Sequence, residues 1–101
     1  MTTHGYYSPP GGRVERATGT TDANGNVTFT WPAGAFAVAP VVTLGMEGTA
    51  GFRSARITAN SAASTTVHVL QAAGVTLLGI GVLAAGVNAP GVVVHAHAAA
   101  P

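Results

Sequence analysis

The sequence predicts an all-β fold: a small antiparallel β-sandwich of about six strands over residues 13–101, preceded by an extended N-terminal arm over residues 1–12. Three observations predict it. Short runs of β-branched and aromatic residues alternate with polar ones at period two, clusters of Gly, Pro, Asn and Ser punctuate those runs, and they lack the three-and-four spacing of an amphipathic helix. At 101 residues the chain has room for one domain with one modest core.

The arm, "MTTHGYYSPPGG", carries two consecutive prolines, which favour extended backbone, and then two glycines. Tyr6, Tyr7, Pro9 and Pro10 are its candidate docking residues, because tyrosines offer a large apolar body with a polar tip. From Arg13 the pattern turns to strands. Asn24-Gly25 separates two β-prone segments and supplies the positive φ angles of a tight hairpin turn, with Asp22 placed to bond the turn's backbone. On the following strand Val27, Phe29 and Trp31 share one face and Thr28 and Thr30 the other, until Pro32 ends the ladder.

Pro40 then opens "VVTLGME", where Val42, Leu44 and Met46 share a face. In "FRSARIT", Phe52, Ser54 and Arg56 oppose Arg53, Ala55 and Ile57; "ANSAAS" turns the chain; and in "TTVHVL" Val67 and Val69 oppose His68 and Leu70. "GVVVHAHA" is the last strand. Arg53 and Arg56 on opposite faces make no joint anion clamp, and a surface pairing of one of them with Glu47 is expected to stabilise little.

Only seven residues are charged, 7% of the chain against about a quarter in ordinary globular proteins, and none is lysine. A surface so poor in charge, on a chain that is 48% apolar, is expected to be covered by copies of itself or by a larger particle. A net charge of +1 from scattered arginines is no footprint for nucleic acid. Without cysteine there is no thiolate chemistry, and without lysine no phosphate-binding P-loop. The serines at 8, 54, 61 and 64 sit in no nucleophile elbow, and the three carboxylates, Glu15, Asp22 and Glu47, form no acid/base pair, so no enzyme and no cofactor are expected. The N-terminus lacks the basic and apolar regions of a signal peptide.

The stretch "GVTLLGIGVLAAGV", Gly74 to Val87, approaches the length of a membrane span when "VLQAA" is added. Its four glycines, the β signals on both sides and the absence of basic flanks favour a glycine-bent apolar hairpin covered by protein, with no membrane span. Val75, Leu77, Leu78, Ile80, Val82 and Leu83 are its candidate interface residues. His95 and His97, at i and i+2 of one strand, point to one face, where a threefold axis would gather three such pairs around a metal ion; the plain alternative is a hydrogen-bonded or exposed pair.

The Asp-x-Asn-Gly turn, "VTFTWPAGAFAVAPVVTLGME" with Phe36 after the aromatic strand, then "RITAN", "TTVHV" and "VVVHAHA", in that order, resemble the H-type lectin-like β-sandwich of phage tail and fibre proteins, over residues 20–98. The resemblance implies a six-stranded antiparallel sandwich that assembles as a homotrimer, sometimes stacked into hexamers. In lectin members of that family sugars bind at subunit boundaries, and in some phage fibres HxH pairs from three chains hold a metal ion on the axis, which is the role implied for His95 and His97. A chain starting at Met1 without a coiled coil or shaft points to a stand-alone accessory subunit. The expectation is a non-enzymatic virion protein that decorates or stabilises a capsid, collar or tail by self-association and arm docking. The alternative is a tail module that binds a host receptor or cell-surface glycan. The apolar run departs from the family pattern, which has a short polar loop there.

Overall fold

Period-two alternation becomes two-faced strands. The computed structural model describes residues 13–48, 51–72, 76–77, 80–81 and 86–101, for residues 76, 77, 80 and 81 the backbone alone. The arm residues Tyr6, Tyr7, Pro9 and Pro10 therefore lie outside the described residues, as do Val75, Leu78, Val82 and Leu83. The strands are β1 (Val14–Thr20), β2 (Asn26–Thr30), β3 (Val41–Met46), β4 (Arg53–Asn60), β5 (Ser64–Gln71), β6 (Thr76–Leu77), β7 (Ile80–Gly81), β8 (Val87–Asn88) and β9 (Val93–Ala99). Six of them run five residues or more, the number the sequence predicts.

Two antiparallel sheets pack as a sandwich. The first has the order β1-β9-β3, and the second the order β2-β5-β4 with the short β8 also on β5. The chain changes sheet between β1 and β2, β2 and β3, β3 and β4, and β8 and β9, so it crosses repeatedly from one layer to the other. The β4–β5 connection is a true hairpin: Ser61 N donates to Ser64 O at 2.8 Å, and Ser61 Oγ accepts from the N–H of Ala63 and of Ser64, both at 3.2 Å.

The core divides its volume unequally. The first sheet contributes the small buried residues Val94, Ala96 and Ala98, while the second contributes Phe29, Trp31, Val67 and Val69. Phe36, from the loop after β2, meets Trp31 edge-on at 6.1 Å, and Trp31 stacks near Phe29 at 6.2 Å, so three rings fill the space the alanines leave. Gly19 completes the fit: a Cβ there would lie 2.7 Å from Val27 Cγ2 and 3.2 Å from a Phe29 ring carbon. The buried indole N–H is satisfied by a relay in which Trp31 Nε1 donates to Thr65 Oγ1 at 3.0 Å and Thr65 Oγ1 donates to Asn60 Oδ1 at 2.7 Å. Asn60 Nδ2 in turn donates to Pro40 O at 2.8 Å, joining the end of β4 to the entry of β3.

The Asn24-Gly25 turn requires one correction. Gly25 has the expected positive φ of 79°, and Gly25 N donates to Asp22 O at 3.0 Å, yet β1 and β2 do not pair with each other. The chain emerging from the turn is captured by β5, with Val69 N donating to Gly25 O at 2.8 Å, while Thr21 is bound to the turn before β9 through Val92 N, which donates to its buried Oγ1 at 2.9 Å. The turn therefore bridges the two sheets instead of closing a hairpin in one. The glycine-rich apolar run does contain a hairpin, between β6 and β7, pairing Thr76 with Gly81 and Leu77 with Ile80. The interface candidates Leu77 and Ile80 fall on its backbone.

Candidate functional site

Antiparallel register sets out the outer face of the first sheet in rows across β1, β9 and β3. At one end Val14, Ala99 and Val41 form an apolar row; next come Arg16, His97 and Thr43; then Thr18, His95 and Gly45. Beyond these, Glu47 N donates to Val93 O at 3.0 Å, continuing the ladder past the end of β3. The alternation in "HAHA" produces this arrangement: Ala96 and Ala98 turn into the core, so His95 and His97 must both turn out. The shared face expected of the two histidines is thus observed.

His95 is held on both ring nitrogens. Its Nε2 lies 2.6 Å from Glu47 Oε2 and its Nδ1 2.9 Å from Thr18 Oγ1. An ionised carboxylate only accepts, so Nε2 carries the hydrogen, and in the neutral ring Nδ1 accepts from the threonine hydroxyl. One imidazole thereby links β9 to β1 and to the segment that immediately follows β3. The side chains of both His95 and Glu47 are well exposed, at 49% and 62%, so solvent screens the pair and its contribution to stability is small. The line from carboxylate to imidazole to hydroxyl has the order of an activated nucleophile. Backbone N–H groups lie in the plane of a sheet, however, so none points outward to stabilise an oxyanion above Thr18.

His97 occupies the neighbouring row with its imidazole exposed and without a hydrogen bond among the described residues; only its backbone O is approached, by Thr43 Oγ1 at 3.5 Å. Among the described residues, no three side chains of His, Cys, Asp or Glu are placed to hold a metal ion. A cation on His95 Nε2 would displace Glu47 or share it as a ligand. His68, on β5, belongs to the outer face of the second sheet, where its Nδ1 donates to Asn26 Oδ1 at 2.7 Å, and so stands apart from the other pair.

Gly45 belongs to the last of these rows. Nothing lies within 4 Å of where its Cβ would stand, and it borders an open hollow of about 400 Å³ lined by Arg16, Thr18, Thr43, His95 and His97 among others. Asp22 takes the structural role the sequence predicts: its Oδ1 accepts from Asn24 N at 2.9 Å and Asn26 N at 3.0 Å. Those bonds, Asn26's foremost, hold its carboxyl below the usual aspartate value of 3.8. Sequence reasoning missed Thr18 and Glu47 as partners of His95. Their separations from it along the chain, 77 and 48 residues, leave no local signal to find them by.

No family model matches the chain, and no curated protein or solved structure matches it.

Proposed function

We propose that the chain is a non-enzymatic structural protein of a phage virion, a homotrimeric sandwich that decorates or stabilises the capsid, collar or tail. The observation that carries this reading is a surface with very little charge and several large apolar side chains open to solvent. Seven charged residues serve 101, while Phe52 is 72% exposed, Val41 62% and Val38 58%. Single exposed valines are ordinary, but on a chain with so few charges they mark surface that another subunit can cover. Among the described residues no helix is long and apolar enough to cross a membrane. The order of strands and turns that resembles the H-type lectin-like sandwich supports the same reading, as does an arm rich in Tyr and Pro immediately before β1. The arm docks on a neighbouring subunit or on the particle, and the metal role of His95 and His97 belongs to the trimer axis of this proposal.

The test is structural and genetic. Imaging of particles is expected to place the chain at fixed stoichiometry on the capsid or tail lattice, and deletion of residues 1–12 to weaken that occupancy while circular dichroism stays β. Full occupancy without the arm rejects arm docking, and absence from the particle rejects the virion role. A second reading, a glycan-binding tail module, is favoured by the open hollow beside Gly45, where the Thr43 hydroxyl and the His97 ring can meet sugar hydroxyls. Selective binding on a glycan array, with no lattice occupancy, decides for it.

A further inference from the structure

The chain has three acidic side chains, Glu15, Asp22 and Glu47. Each is engaged by a group other than Arg16: Glu15 Oε2 pairs with Arg13 Nε at 2.5 Å, Asp22 Oδ1 with the turn backbone, and Glu47 Oε2 with His95 Nε2. Arg16 is exposed on β1 and makes no hydrogen bond or ion pair among the described residues. It stands directly opposite His97 in register, and His97 directly opposite Thr43, along the wall of the hollow that Gly45 borders.

We propose that the row Arg16, His97, Thr43 is a seat for an oxyanion, a carboxylate or phosphate carried by a ligand small enough to enter that hollow. The guanidinium presents a planar fork of donors that matches two oxygens of such a group. Cross-strand neighbours have Cβ atoms about 5 Å apart, so one anion can be reached from β1 and β9 together. The bond from Thr43 Oγ1 to His97 O is long at 3.5 Å, which makes that hydroxyl easy to redirect toward a ligand. Glu47, the one acidic side chain on this face, reaches His95 in the row beside the seat and is engaged there, leaving Arg16 to the incoming anion. Arg56 provides the contrast: it faces His68 across β4 and β5 on the other sheet, but His68 Nδ1 is already donated to Asn26. The inference needs neither reading of function above, and it competes with the metal role for His97, since one imidazole does not both hold an axial metal ion and line an open anion seat.

The test is a titration of the whole isotope-labelled chain with inorganic phosphate and, separately, acetate at constant ionic strength, followed by the NMR signals of Arg16, His97, Thr43 and Gly45. Saturable shifts at these residues are expected with at least one of the two anions, and the one that saturates identifies the oxyanion. Arg16→Gln is expected to weaken binding by about tenfold, the loss of one charge-assisted contact. His97→Gln weakens it less, and Arg56→Gln, which removes the same charge from the opposite sheet, leaves it unchanged. Shifts that fail to saturate with both anions, or that fall equally in Arg16→Gln and Arg56→Gln, overturn the proposal in favour of general charge screening. All three positions are at the surface, and retained dispersion of the spectrum verifies that each variant is folded.

Discussion

Replacing Thr65 by valine removes one oxygen from the centre of the sandwich while nearly preserving its shape. Thr65 is fully buried and Trp31 is 4% exposed, so in Thr65→Val the indole N–H loses its acceptor with no water at hand. An unsatisfied buried donor costs about 1–3 kcal/mol. Asn60 Oδ1 also loses a donor, but Asn60 is exposed and water can replace it, which adds little. The expected loss is therefore about 2 kcal/mol, or roughly 8 °C in melting temperature for a chain of this size. Urea denaturation at constant m-value is the assay. In a Trp31→Phe background, where no N–H needs an acceptor, the same Thr65→Val change is expected to cost under about 1 kcal/mol, since the two residues are coupled. A Thr65→Val variant within about 0.5 kcal/mol of the parent, or an equal cost in both backgrounds, refutes the relay as the reason for the buried hydroxyl.

Two further outcomes follow from the packing and the turn. Gly19→Ala places a methyl 2.7 Å from Val27 Cγ2 and against the Phe29 ring, so β1 must shift away from β2; a destabilisation of about 1–3 kcal/mol is expected by thermal melting, and an unchanged Tm refutes the close approach of the sheets there. Asp22→Ala removes the acceptor for two turn N–H groups. Because the carboxyl is held below 3.8 in the folded chain, its stabilisation is present above that value and is lost as pH falls through the lower, folded value. The parent is thus expected to lose stability relative to Asp22→Ala on acidification below pH 3.8, and parallel pH profiles for the two proteins contradict it.

Much of the fold is legible in the sequence because it is written locally. Val27, Phe29 and Trp31 announce a buried face by spacing alone, Pro40 marks the entry to β3, and Asp22 and Gly25 identify their turn by side-chain chemistry and φ preference. Pairing is another matter. Nothing near Asn24-Gly25 tells that β1 will join β9 while β2 joins β5, because the choice depends on which distant strand presents a complementary face. The small residues of β9 and Gly19 acquire meaning only beside the aromatic rings they accommodate. The outer face follows the same division: alternation predicts that His95 and His97 share a side, but the contacts of His95 with Thr18 and Glu47 depend on register across three strands.

The central claim is that this sparsely charged sandwich is a subunit and not a lone domain. Its most direct test is the native mass of the purified full-length chain in detergent-free buffer at micromolar concentration. The account predicts three times the 9.9 kDa chain mass, or a multiple of that trimer. A stable, soluble monomer of 9.9 kDa would contradict it.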